Sequence, residues 1–197
     1  MADRLSQAAS KPVLIEVVLA NGFSMLTTTL ILEALRFVNL AHRRKAFDWM
    51  IKGIQSDAPR ASNGFTIAAQ RQFDSNTPPA EIVFVNASYF SDAAGSPRPS
   101  GWLRAAERHG AWILAVDTAP LLLAQAGVLD ERVATIHREE IDSARNSFLR
   151  SSSAAPGWSK AGASSPAAAG WLFWIDAELG RNTRANRSLN TFGNAFS

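Results

Sequence analysis

At 197 residues with 47% apolar and 19% charged side chains, the chain has the makings of one ordinary folded domain, or one domain plus a tail. Its 20 Lys and Arg against 17 Asp and Glu leave a net charge of only +3, scattered along the sequence and too small to argue for nucleic acid. The absence of cysteine excludes disulfides, thiolate metal sites and a cysteine nucleophile at once.

The chain opens on a short mixed-charge lead, 1–12, with no apolar stretch of the signal-peptide kind. No run approaches the roughly 18 consecutive apolar residues of a membrane span. A cytoplasmic location with no membrane partner is the expectation. Val13 to Leu19 is a β-branched apolar run after Lys11-Pro12 and reads as a buried parallel strand. Asn21-Gly22 turns the chain. From Ser24, a natural N-cap, Leu26, Leu30, Leu35 and Val38 recur at helical spacing to about Ala41. The basic cluster His42-Arg43-Arg44-Lys45 falls at the end of that helix, where cations complement the dipole, a simpler role than phosphate binding.

Phe47 to Ile54 predicts the second strand, and Asn63-Gly64 a tight turn followed by a short strand at Phe65 and Ile67. Glu81 to Asn86, EIVFVN, is the clearest central strand. A Gly, Pro and Ser loop then leads to a helix over Trp102 to His109, a strand over Trp112 to Val116, and a helix from Thr118 to Gly127. Arg132 to Thr135 predicts a short strand and His137 to Phe148 a helix. Strands and helices alternating on this scale indicate an α/β, three-layer sandwich with a mostly parallel central sheet. Trp49, Trp102 and Trp112 lie on separate elements, which favours core filling over an aromatic cage.

Beyond 150 the composition changes. From Ser151 to Gly170, 18 of 20 residues are Ser, Ala, Gly or Pro, a stretch with too little apolar surface to offset the entropy of ordering it. The patch Trp171 to Ile175 can dock as a strand, and 180–197 is polar without period. The organisation expected is therefore a lead (1–12), a domain (13–150) and a flexible, atypical C-terminal tail (151–197).

Four blocks carry a family resemblance. They are Asn21-Gly22-Phe23-Ser24 with Glu33-Ala34-Leu35-Arg36 and Asn39; Pro59 to Gly64; Asp117-Thr118-Ala119-Pro120 with Leu123 to Asp130; and Ala134 to Glu139. In this order and spacing the chain resembles, over about residues 13 to 148, the PfpI/ThiJ-type, class I glutamine-amidotransferase-like domain of AraC/XylS-type transcription regulators. The resemblance implies a flavodoxin-like sandwich, pairing with a second copy, and a strand-to-helix elbow at Asp117. In hydrolytic relatives a cysteine sits there, its thiolate and a developing oxyanion stabilised by backbone amides and the helix dipole.

A carboxylate at that position is a poor nucleophile toward acyl groups, and its charge opposes a nearby oxyanion. Asp117 and Thr118 are good helix caps, with ligand contact as the alternative role. The resemblance places His137 near the elbow, where it contacts a ligand or only bonds backbone or Glu139. Glu33 matches the helical acid that touches the elbow in some relatives, but a salt bridge with Arg36 is equally compatible.

The three histidines, His42, His109 and His137, are too far apart for a local zinc motif, and neither metal nor cofactor is expected. The implied function is a non-catalytic small-molecule-sensing and dimerisation domain. Its ligand would be a small metabolite such as an amine or amino-acid-like compound, and its partner a second copy in a homodimer. Nothing after Phe148 reads as two helices about a tight turn with a basic face, so no DNA binding is expected of this chain alone. It reads as a regulator truncated before its helix-turn-helix part. The rival is an enzyme of the same superfamily, hydrolase, hydratase or glyoxalase-like, for which Asp117 with His137 is the only candidate dyad.

Overall fold

The computed structural model describes residues 11–88, 97–130, 133–136, 157–160 and 173–175. The main sheet has the order β3-β2-β1-β4-β5-β8. Its strands are β1 (Val13–Leu19), β2 (Phe47–Gly53), β3 (Arg71–Gln72), β4 (Ile82–Ala87), β5 (Trp112–Asp117) and β8 (Phe173–Ile175). All pairings are parallel except that of β8, which runs antiparallel to β5. The helices are α1 (Met25–Ala41), α2 (Pro97–Arg108) and α3 (Ala119–Gln125). The α/β architecture with a mostly parallel sheet, expected from the alternation, is the one found, and it fits the flavodoxin-like sandwich that the resemblance implies.

Strand alternation splits the core in two. Val13, Ile15, Val17 and Leu19 of β1 point to one face, where they pack with Phe47, Ile82, Phe84 and Val116, and with Leu35 and Val38 of α1. Val18, Val83, Val85, Ile113 and Ala115 point to the other, under Trp102 and Leu103 of α2 and Leu122 and Leu123 of α3. Trp49 and Trp112 lie against the first cluster, so all three tryptophans fill core. β2 closes on Gly53 because a Cβ there would stand 2.0 Å from the Ser56 carbonyl oxygen and 2.9 Å from Pro59 Cδ.

One polar pair interrupts this core. Glu16 and Lys52 are both buried, and Lys52 Nζ donates to Glu16 Oε1 at 2.5 Å. Glu16 Oε2 accepts the Ala80 amide at 3.1 Å, and the ammonium lies 5.8 Å from the Trp102 ring centroid. Trp102 Nε1 in turn donates to the Thr77 carbonyl at 2.9 Å. The pair thereby fastens the loop before β4 to the sheet.

Several expectations need correction. No strand forms at Phe65 and Ile67. The Asn63-Gly64 turn, with Gly64 at φ 92° and its amide on the Ala61 carbonyl, folds the segment back on itself. Arg60 and Thr66 make only an isolated bridge there. α2 begins at Pro97, five residues before Trp102, since proline is tolerated in a first helical turn. The basic cluster falls just past α1, whose last turn holds no basic residue, and Lys45 pairs with Asp48 at 2.8 Å.

β6 (Val133–Ile136) pairs in parallel with β7 (Gly157–Lys160) in a separate two-stranded sheet. Strand structure therefore reaches into the 151–170 segment expected to be flexible. Backbone ladders require no apolar side chains, so composition was a poor guide at that point. Phe173–Ile175 does dock as a strand. The predicted helix His137 to Phe148 and the segment 180–197 lie outside the described residues. Among the described residues no helix is long and apolar enough to cross a membrane.

At the outer edge, β3 pairs only with Lys52 and Gly53. Along the rest of β2, side chains and a loop supply hydrogen bonds. Gln70 Oε1 accepts the Ile51 amide at 2.8 Å, the Gln70 amide donates to the Ile51 carbonyl, and Asp48 Oδ1 accepts the Trp49 amide.

Candidate functional site

The chain leaves β1 for β2 on one side and later returns to place β4 on the other. The C-terminal ends of β1 and β4 therefore flank the topological switch point, where open α/β sheets bind their ligands. Three loops converge on this end. After β1, the Phe23 amide closes a turn on the Ala20 carbonyl with Gly22 at φ 82°. The Pro59–Gly64 segment docks on that turn. The Gly22 amide donates to the Arg60 carbonyl at 2.7 Å, and Asn21 Oδ1 accepts the Arg60 amide at 3.1 Å. Two of the four sequence blocks thus meet in space.

Ser24 opens α1 as read from sequence, its hydroxyl accepting the Thr27 amide at 3.3 Å. Asn86, fully buried near the end of β4, holds this helix start to the sheet. Its Oδ1 accepts the Ser24 amide at 3.2 Å, while Nδ2 donates to the Ser24 carbonyl and to the Thr28 hydroxyl, both at 2.9 Å.

Beside Asn86, β5 ends at Asp117, in register with Ala87. Asp117 is half-buried and has φ 61°, a left-handed conformation that non-glycine residues adopt rarely, Asp and Asn among the more tolerant. The chain then turns directly into α3, with Pro120 in its first turn. Strain of this kind at a strand-to-helix junction is the geometry that thrusts a side chain out at the end of a sheet.

Thr118 occupies the N-cap position of α3 but makes no side-chain capping bond, a correction to the capping role read from sequence. Its amide and hydroxyl both donate to the Ala87 carbonyl, at 2.9 and 3.1 Å. The left-handed turn at Asp117 sends the Thr118 side chain back toward β4, so the residue fixes the elbow instead of closing the helix.

Of the four site residues read from sequence, the structure brings Asp117 and Thr118 together at the elbow. Glu33 is half-exposed on α1 and pairs with Arg36 at 2.7 Å. It sits nine residues along the helix from Ser24, about 13 Å at the α-helical rise. The Arg36 guanidinium holds its carboxyl below the usual carboxylate range. The salt-bridge alternative is the one observed. His137 lies outside the described residues. His42 caps the far end of α1, and His109 follows α2 with Nδ1 2.7 Å from the Ala105 carbonyl oxygen.

Asn86 and Thr28 were missed. The signal was available in Asn86, a polar residue ending the apolar run of β4, where a buried amide must find several partners.

A carboxylate at this elbow can accept hydrogen bonds from an ammonium or amide donor. It cannot attack an acyl carbon as a thiolate does. Among the described residues no group of three or more His, Asp or Glu could hold a metal ion.

No family model matches the chain. It is 31% identical over 127 residues to the HTH-type transcriptional regulator CdhR of Pseudomonas aeruginosa, an alignment covering 64% of this chain and 37% of the regulator. The chain thus spans little more than a third of that relative's length. In fold it is similar to an AraC family transcriptional regulator from Pseudomonas putida, with TM-score 0.64, 20% identity and 76% of each chain covered. A ThiJ/PfpI family protein from Pseudomonas syringae superposes with TM-score 0.54 at 15% identity, covering 70% of this chain and 55% of that one. The chain is thus similar in sequence to part of a transcription regulator and shares its fold with AraC-family and ThiJ/PfpI proteins.

Proposed function

We propose that the chain is a non-catalytic domain that senses a small metabolite and dimerises within an AraC-type transcription regulator. The observation that carries this reading is Asp117 at φ 61°, a carboxylate at the end of β5 where hydrolytic relatives hold a cysteine. A fixed anion beside a switch point suits a cationic amine or amino-acid-like ligand, with Thr118 bracing the elbow from β4. DNA recognition is assigned to another part of such a regulator.

The test is thermal unfolding of the full chain with amino acids, betaines and polyamines, repeated with Asp117→Asn. A ligand at 100 times its Kd stabilises the folded state by about 2.7 kcal/mol. For a chain of this size that raises the melting temperature by roughly 5 to 10 °C. The parent should show such a rise with one of these compounds and the variant should lose it. A parent that none of them stabilises would sink the reading. Consumption of glyoxal by the parent but not by Asp117→Ala would overturn its non-catalytic half.

A further inference from the structure

The rim of the sheet that carries Asp117 also carries a cation. Leu19 is in register with Asn86, and Asn86 with Val116, so the next residues, Ala20, Ala87 and Asp117, share one rung across β1, β4 and β5. The Pro59–Gly64 hairpin sits at the β1 end of that rung. Both backbone groups of Arg60 are bonded there, its amide to Asn21 Oδ1 at 3.1 Å and its carbonyl to the Gly22 amide at 2.7 Å. Ala61 bridges Phe23, and the Ser62 amide donates to the Phe23 carbonyl at 3.0 Å. Arg60 is thus fixed by its backbone beside the turn after β1, while the residue itself stays exposed. Its side chain is held as well. Nε donates to the Gly64 carbonyl at 3.2 Å, and a Cβ on Gly64 would touch Nη2 at 3.5 Å, so the guanidinium lies along the tip of its own hairpin. That bond uses Nε, whereas the forked terminal nitrogens are the pair that matches a carboxylate. The same hairpin leaves Phe65 70% exposed, although its amide is bonded to Asn63 Oδ1 and its carbonyl to the Ala61 amide. A rigid loop that presents a guanidinium and a bare ring at the ligand-binding end of a sheet has the parts of a recognition element.

We propose that Arg60 binds the carboxylate of the ligand whose cationic end meets Asp117, so that the site selects ω-amino acids over α-amino acids and over plain amines. The inference deepens the sensing part of the proposed function and rests on it. The selection follows from spacing and sign. Two strand spacings, about 10 Å, separate Asp117 from the β1 end of its rung. An α-amino acid holds its two charges on one carbon and is too short to touch both residues. An amino acid with its ammonium at the end of a short methylene chain spans them, and the Phe65 ring offers that chain an apolar surface. A diamine of the same length satisfies Asp117 but brings a like charge to Arg60, and a simple fatty acid does the reverse. Specificity then comes from repulsion of the wrong ligand as much as from attraction of the right one.

The test is calorimetric titration of the full chain with δ-aminovalerate, glycine, cadaverine and valerate. The parent should bind δ-aminovalerate at least about tenfold more tightly than each of the others, since each lacks one charged contact or the reach to make both. Arg60→Gln should raise the Kd for δ-aminovalerate about 10- to 100-fold. Its melting temperature without ligand should match the parent's, because the backbone bonds that seat the hairpin remain. Arg60→Glu should reverse the order and favour cadaverine, a change that a residue merely bracing the hairpin would not produce. Cadaverine bound by the parent as tightly as δ-aminovalerate, or an order left unchanged by Arg60→Glu, would overturn the inference. Loss of that binding in Asp117→Asn would then leave the proposed function standing. A parent that binds none of the four would overturn the inference too, and one that no amino acid, betaine or polyamine stabilises would take the proposed function with it.

Discussion

Two polar clusters are buried against this sheet, and they serve different ends. The Glu16–Lys52 pair sits mid-sheet, its second carboxylate oxygen on a backbone amide and its ammonium against an indole. Everything about it is closed, and its backbone carries no strain. The Asn86–Ser24–Thr28 group is just as well bonded, but it lies at the C-terminal strand ends beside a left-handed aspartate. Burial and charge therefore do not mark a site by themselves. Strain at the switch point does, because it costs about 1–3 kcal/mol that packing alone has no reason to retain.

The comparison can be broken most forcefully at the charge pair. Lys52→Met leaves Glu16 buried without its cation and should lower stability by about 3–5 kcal/mol in urea unfolding. The Glu16→Leu/Lys52→Met double variant should be less harmed than either single change. Additive losses would show that the pair is not coupled. Asn86→Ala strips partners from the Ser24 amide and carbonyl and should cost about 1–3 kcal/mol, with the ligand response weakened because α1 is less firmly seated.

Asp117→Gly sharpens the contrast. Glycine accepts the left-handed turn freely, so stability should stay within about 1 kcal/mol of the parent while ligand-induced stabilisation disappears. A large loss of stability would make Asp117 a structural residue like Glu16.

The smallest effect is that of acid. Arg36 holds Glu33 below its ordinary range, Lys45 does the same for Asp48, and the Asn76 amide for Asp74. A lowered folded-state value contributes stability above the unfolded carboxylate range that is lost as pH falls through the folded value. Melting temperature should therefore drop only at strongly acid pH, and modestly, since these groups are exposed and well screened. A rise on acidification would contradict the assignment.

The main sheet was largely legible in the sequence because its strands are short apolar runs bounded by turn residues. Val13–Leu19 and the strand after Pro78-Pro79 needed no tertiary information. β3 was not legible, as two polar residues carry no period and are strand only by pairing with β2. The elbow at Asp117 was legible through the family resemblance, but its left-handed backbone was not, and neither was the turning of Thr118 away from α3. Glu33 shows the limit of block matching. A residue in register with a site in relatives can face solvent here, because helical position alone does not say which way a side chain is used. The tie from Asn86 to the start of α1 joins residues 62 apart in sequence, and no local pattern announces it.

The thin edge at β3 has a consequence for how the protein behaves at high concentration. A long, bare parallel edge would invite another chain to add a strand and begin a filament. Here a glutamine carboxamide and an aspartate carboxylate have already taken the Ile51 and Trp49 amides. Intermolecular strand addition is thereby discouraged at this margin of the sheet.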